Sequence, residues 1–502
     1  MTMTHPGPRW RLAALTTVAV LFGASGCVTT APMIPTPSTA SATPHDFTVA
    51  TTERPKALDP AAATDSMSTT MVSALFQRLL TLDEGKTALH PDAASECIYV
   101  SPVQYRCTLK PNLKFNNGHA LTSSDVKFSI ARALRLGVAG SSAHQLEALA
   151  TMDTPDDLTI DFNLSWPDNQ FGYALAEPAA SIVDENVYDP DAVRSAADLP
   201  VGSGPFWVSA TFTDKMYLRA LTGYSGYTPA ASDFVVLKFY ADSAALEEAM
   251  KEGQVDVVWR GLNAAALKRL NDQISASKDK LTDSGFRRDT SAGERVHFVR
   301  WSDTSAYRLD AALRTTISAA LQDDRTLDSI IPRGIEGHIS AFALGGIASF
   351  PPLTGERPRL TLSYDSQITG ELEMARGIRD RIEAAVGVSM QVVADTPTAD
   401  LVLYNYKAWN VTPIAWLQPY RTASLPGSAG KIASLEKLYR TTTDQATRDS
   451  ALSELQAQAA VDAVVLPISQ EDDDMFLAAA VKVHEPKYGP GYQLALWSVG
   501  LQ

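Results

Sequence analysis

Cysteine is scarce, with three in 502 residues and no Cys-x-x-Cys pair, so dithiol redox chemistry and a thiolate zinc site have no foothold. The eight histidines are His5, His45, His90, His119, His144, His297, His338 and His484. They form no HExxH or other close ligand pair, and this excludes the common zinc-hydrolase pattern. There is no Gly-x-Ser-x-Gly elbow. Pro426-Gly427-Ser428-Ala429-Gly430-Lys431 imitates a phosphate loop, but Leu425 stands where the first glycine belongs, and Ile432 follows the lysine in place of Ser or Thr. Gly202-Ser203-Gly204 lacks the third glycine of a dinucleotide fingerprint and runs into Pro205. Positive charge is in deficit. Against 57 Asp and Glu stand 43 Lys and Arg, a formal net charge of −14, which argues against nucleic acid or an anionic membrane surface as the main partner. After residue 30 no apolar run approaches the ~20 residues that span a bilayer. The catalytic inventory is nearly empty, so the expectation is no enzyme, no cofactor and no metal. The acidic run Glu471-Asp472-Asp473-Asp474 reads as a solvated turn after a strand.

What is present is globular. Hydrophobic residues make up 45% and charged residues 20%, and the length allows two to four domains or two large lobes. Arg9 and Arg11 precede an uncharged stretch, Leu12 to Gly26, that is too short for a comfortable membrane helix. It ends in Gly23-Ala24-Ser25-Gly26-Cys27, which resembles a bacterial lipobox in which Cys27 is lipidated and becomes the first mature residue. Residues 1–27 are thus expected to be a lipoprotein signal peptide. Residues 28–45, uncharged up to Pro44 and rich in Thr, Ala, Pro and Ser, are expected to be a flexible tether.

Cys97 and Cys107 then remain as an even pair in an oxidising compartment. The stretch between them reads as two short strands around Pro102. A hairpin symmetric about that residue sets Cys97 opposite Cys107 and Tyr99 opposite Tyr105, within reach of a disulfide. Further along, apolar periodicity predicts a strand at Phe47–Ala50 and a helix at Met71–Leu80. A helix is also predicted at Thr122–Leu136, capped by Thr122 with Asp125 three residues on. Strands follow at Thr159–Leu164, Asp233–Tyr240 and Val255–Val258, the last preceded by a helix at Ala244–Lys251 that Gly253 stops. Leu309–Leu321 reads as a helix. Leu360–Tyr364, Leu372–Ala385 and Met390–Val393 read as strand, helix and strand of a separate α/β lobe. Leu435–Ala460 is mostly helical, and a strand at Val464–Leu466 ends at Pro467.

An ordered series of segments resembles the family 5, peptide/nickel-type, extracellular solute-binding proteins of ABC transporters. The series begins with Leu58-Asp59-Pro60, Leu75-Phe76-Gln77-Arg78-Leu79-Leu80 and His90-Pro91-Asp92-Ala93-Ala94. It continues through Leu109 to Ser129, with Phe115, Gly118, Thr122, Asp125 and Val126, and through Pro200-Val201-Gly202-Ser203-Gly204-Pro205-Phe206. Leu246 to Val258, Leu313 to Asp324 and Pro467-Ile468 complete it, in order, over about residues 46 to 500. The resemblance implies an α/β, two-lobed periplasmic-binding-protein-like fold of type II, with a hinged cleft. The large lobe is expected over 46–262 and 476–502, with a hairpin subdomain at about 90–200, and the second lobe over 263–475. It also implies a lipid-anchored substrate-binding protein outside the cytoplasm, a monomer that captures a peptide-like or other small polar solute and delivers it to an ABC permease.

In peptide binders of this family an aspartate before a proline pairs with the peptide amine. The similar stretch here is Tyr406-Lys407-Ala408-Trp409-Asn410-Val411-Thr412-Pro413, with Trp409 in the place of that aspartate and no carboxylate between Asp400 and Pro413. A buried ammonium without a counter-charge is costly, which puts a free peptide amine in doubt. Trp259, Arg260, Trp301, Tyr406, Trp409 and Asn410 are the expected ligand contacts, suited to flat or sugar-like faces or to an acid. The missing aspartate also motivates an alternative, a binding-protein-like lipoprotein that regulates cell-envelope synthesis through protein contacts without transport.

Overall fold

Strands from both halves of the chain meet in one ten-stranded mixed sheet. The computed structural model describes residues 46–501 except 84–85, 347–356, 367–369, 409–411 and 490–492. The strand order is Ser389–Ala394, Arg359–Tyr364, Leu401–Tyr406, Phe286–Trp301, Val465–Ala478, Val257–Trp259, Thr48–Thr51, Phe234–Phe239, Lys215–Ala220 and Phe206–Thr211. The fourth and fifth members, near the middle, are the long ones, 16 and 14 residues, and they run antiparallel to each other.

These central strands serve both halves of the molecule. Residues 286–292 pair with 472–478 on the side that continues into Val257–Trp259, and residues 296–300 pair with 465–470 on the side that continues into Leu401–Tyr406. The register shifts between Ala292 and Val296. There a Cβ on Gly293 would lie 2.3 Å from the Glu471 carbonyl oxygen, so the close approach requires glycine. A bulge with a bare backbone contact is the place where two crossing strands bend most easily.

Separate cores lie on either side of the crossover. Leu246, Met250, Leu270 and Phe476 pack on one face of the first half, and Phe47, Val72, Leu237 and Leu477 on the other. Helix Ala264–Ala276, which carries Leu270, therefore packs on the first half of the sheet. The second half is covered by helices Ala311–Ala320, Glu371–Val386 and Gln445–Asp462, through Ile317, Ile378 and Leu455.

A four-stranded sheet, Ala94–Ser101, Gln104–Leu109, Thr159–Leu164 and Leu149–Asp156, forms the hairpin subdomain. Cys97 stands opposite Cys107 and Tyr99 opposite Tyr105, and the two cysteines are joined by a disulfide across a Cα separation of 4.1 Å.

Several recurring segments acquire physical roles. Asp59 accepts two hydrogen bonds from the Arg132 guanidinium, at 2.9 and 2.6 Å, and others from the backbone N–H groups of Ala61 and Arg194. Both side chains of that ion pair are almost fully buried, so the Leu58-Asp59-Pro60 segment is tied to helix Ser123–Leu136. Gly202 and Gly204 bring their backbone against the end of helix Ser66–Leu75, where an added Cβ would lie 2.2 and 2.4 Å from Leu75 main-chain atoms. At the start of helix Ser123–Leu136, Asp125 accepts from the Thr122 N–H at 2.8 Å, as the spacing predicts.

Three expectations need correction. The helix expected at Met71–Leu80 spans Ser66–Leu75, because the Asp65 side chain accepts from the Ser68 N–H and starts it earlier. The strand expected to stop at Pro467 runs on to Ala478; Pro467 faces Phe298 at a register shift, which absorbs the missing donor. The acidic run is consequently strand and not turn. Asp473 receives Arg260 at 3.2 and 3.0 Å, and Asp474 receives Arg288 at 2.7 and 2.8 Å, so neighbouring arginines balance the charges that favoured a solvated loop.

Candidate functional site

The crossover leaves the hairpin subdomain facing the second half of the sheet, and a set of polar contacts joins them. Arg440, at the end of helix Ala429–Thr441, donates to both oxygens of Asp168, at 3.1 and 2.8 Å, and to Glu147 at 2.9 Å. Its guanidinium also lies over the Trp166 ring, 4.5 Å from the centroid. The Asn169 side chain donates to the carbonyls of Tyr439 and Thr442, which are left without partners at a helix C-terminus. Nearer the middle, the Tyr173 hydroxyl donates to the Thr87 carbonyl, and the Thr87 N–H donates to Glu336.

Close in sequence to Tyr173 stands a buried carboxyl group with one oxygen unbonded among the described residues. Glu177 follows Tyr173 in a short turn before Pro178–Ala180. It is 2% exposed, and its Oε1 has no hydrogen-bond partner among the described residues. Burial lifts its pKa from the ordinary 4.5 to about 8, against the opposing pull of Arg78 and Lys407. These two cations come from different places. Arg78 lies between helix Ser66–Leu75 and strand Leu80–Leu82, a segment tied to this turn by the Ile182 N–H donating to the Gln77 carbonyl at 2.9 Å. Lys407 follows directly on strand Leu401–Tyr406 in the second half. Arg78 is 3% exposed; its Nη1 makes a long 3.4 Å hydrogen bond to Ser73, and its Nε has no partner. It lines a cavity of about 20 Å³, room for a single water.

The expected contact residues are dispersed. Trp259 and Trp301 are both buried and belong to different cores, with each indole N–H lacking a partner among the described residues. Arg260 has a left-handed backbone, lies 4.5 Å over the Trp259 ring and pairs with Asp473. Its place is the rim of a cavity of about 250 Å³ beside the crossover, which Arg295 and Glu471 also line. The Tyr406 hydroxyl donates to the Ala415 carbonyl at 3.0 Å while its ring meets Trp416 edge-on. Trp409, Asn410 and Cys27 lie outside the described residues. Glu177 escaped the sequence reading, although a signal exists: it is the single charged residue between Phe171 and Val183. Arg78 and Lys407 are legible as letters, but nothing in the sequence places them beside it. No group of three or more His, Cys, Asp or Glu suited to a metal ion occurs among the described residues.

Residues 88–416 match the bacterial extracellular solute-binding proteins, family 5. The probable D,D-dipeptide-binding periplasmic protein DdpA of Escherichia coli K12 is 30% identical over 213 residues, which are 40% of this chain and 41% of that protein. A putative ABC transporter peptide-binding protein of Brucella ovis, BOV_A0352, is 24% identical over 368 residues, 69% of this chain and 68% of its own. The periplasmic binding protein DppA of Helicobacter pylori, solved with the peptide STSA, superposes with a TM-score of 0.69 at 19% identity, covering 91% of this chain and 98% of that one. The two-lobed periplasmic-binding fold is thereby shown.

Proposed function

Because the chain belongs to the bacterial extracellular solute-binding proteins of family 5, we propose that it works outside the cytoplasm, anchored by a lipid on Cys27, and hands a small polar or peptide-like solute to an ABC permease. The observation that carries this reading is the pair of long strands, Phe286–Trp301 and Val465–Ala478, which change partners between the two halves of the sheet and bulge at Gly293. Two lobes joined by a narrow β crossover close on a ligand by bending there, with no reacting group required. The fold likeness and the peptide-binding names of the relatives support the same reading. In this proposal Tyr406, Lys407, Trp409 and Asn410 line the cleft from the second lobe. Arg260 borders it at the crossover, and Trp259 and Trp301 brace it from the two cores.

The test is calorimetric titration and small-angle scattering of the soluble mature chain with short peptides and other small polar solutes. A solute that binds and lowers the radius of gyration is the expected result. Absence of binding by every solute, together with capture of a cell-envelope synthase in place of a permease, would replace import with the regulatory alternative. Lipidation is checked separately, by palmitate labelling that Cys27→Ser abolishes.

A further inference from the structure

Side chains, and no shared strand, join the hairpin subdomain to the second half of the molecule. Among the described residues its four-stranded sheet has no strand in common with the ten-stranded one. Helix Ala429–Thr441 of the second half ends in carbonyls that its own turns cannot satisfy. Three carbonyls at this end are taken up by one residue of the subdomain. The Asn169 N–H donates to the Arg440 carbonyl at 2.8 Å, and the Asn169 side chain donates to the carbonyls of Tyr439 and Thr442. Arg440 answers from the helix side. Its fork holds both oxygens of Asp168, it reaches Glu147, and it lies over the Trp166 ring. The receiving turn, Trp166-Pro167-Asp168-Asn169, is set by the subdomain itself. The Gln170 N–H donates to Asp168 Oδ1 at 3.1 Å, the Gln170 side chain donates to Asn169 Oδ1 at 2.7 Å, and the Tyr99 hydroxyl donates to the Asp168 carbonyl. Tyr99 stands on the disulfide-closed hairpin, two residues after Cys97. A socket fixed by its own contacts loses little further order when the helix end docks. Undocking carries both partners of each contact into water together, so it strands no buried charge as a point deletion would.

Resting on the solute-capture reading, we propose that Asp168 and Asn169 form a reversible socket for the C-terminal end of helix Ala429–Thr441, and that its undocking is the step that admits and releases the solute. The clasp residues are distinct from those assigned to the solute. The clasp therefore stabilises the closed form to the same extent with and without a guest, and sets how often the cleft opens in both states. Its loss raises the rates of entry and exit together and leaves their ratio, the affinity, nearly unchanged.

The experiment begins with the soluble mature chain free of solute. Amide hydrogen exchange at Asn169 reports undocking, because that N–H is held by the Arg440 carbonyl. Amides of strands Gln104–Leu109 and Thr159–Leu164 report whether the subdomain itself stays folded. Arg440→Gln is expected to speed exchange at Asn169 by about fivefold or more, with the two strands unchanged. Asn169→Ala removes the side-chain donors at a half-buried turn. It is expected to raise the radius of gyration as Arg440→Gln does, and it guards against misfolding of the arginine variant. Exchange at Asn169 that matches the native chain, or that quickens only together with the two strands, overturns the clasp. Short peptides that bind are then followed by stopped-flow tryptophan fluorescence. Association and dissociation are each expected to quicken by about fivefold or more in Arg440→Gln, with Kd held within about twofold. A change in one rate alone overturns the gating role. Absence of binding by every peptide counts against solute capture and gating, while the exchange result still decides the clasp.

Discussion

Replacing Glu177 by glutamine is the sharpest probe of the buried site, because its effect depends on pH in a direction the structure fixes. Glu177 is 2% exposed, and burial raises its pKa from 4.5 to about 8. Between those values the folded chain holds a proton that the unfolded chain has released, so stability falls as pH rises. The contribution is fully present below about pH 4.5 and lost by about pH 8. At ~1.4 kcal/mol per pH unit the ceiling is about 5 kcal/mol, and relaxation with water entry reduces the expected loss to about 2–4 kcal/mol. Glutamine keeps the shape and never ionises. Urea unfolding of both proteins from pH 4.5 to 8.5 is the assay, and the difference between the two curves cancels the other buried carboxyls, such as Asp125, Asp256 and Glu371. The two are expected to match near pH 4.5, with the glutamine variant about 2–4 kcal/mol more stable at pH 8.5. Parallel curves across the range would mean that Glu177 is solvated or paired, and the reasoning would fall.

Three further outcomes follow from the contacts described. Asp59→Ala leaves Arg132 buried without its bidentate partner, and equilibrium unfolding is expected to show a loss of about 3–5 kcal/mol; a loss under ~1 kcal/mol would mean the pair is dispensable. Arg440→Ala strands Asp168, which is about 1% exposed; stability is expected to drop by about 2 kcal/mol and the radius of gyration in scattering to rise, whereas unchanged scattering would show that this contact does not hold the subdomain to the second lobe. Breaking the Cys97–Cys107 disulfide, with a sequence separation of 10, is expected to lower stability by about 2–3 kcal/mol, read from melts of a double Cys→Ser variant.

Local signals were legible wherever a residue's role is settled by its near neighbours. The Thr122–Asp125 cap lies within one helical turn, and the hairpin about Pro102 sets its register from its own symmetry, so Cys97 meets Cys107 without any tertiary information. The family series predicted the two-lobed class because its turns, caps and glycines recur in order along the chain. The reading broke down where a local preference met a distant partner. Pro467 looked like a strand end until Phe298 supplied a bulged partner, and four consecutive acids looked like a loop until Arg260 and Arg288 reached two of them.

By itself, then, the sequence determined composition class, caps, hairpin register and family, because each depends on short-range geometry or on the order of segments. Only the tertiary structure decided where the sheet changes partners, and that the buried Glu177 feels the charges of Arg78 and Lys407. The physical reason is electrostatic as well as topological. A carboxyl group's proton affinity is set by the water removed from it and by the charges that folding brings to it, and residues 78 and 407 are remote from residue 177 until the two halves of the chain close around the crossing strands.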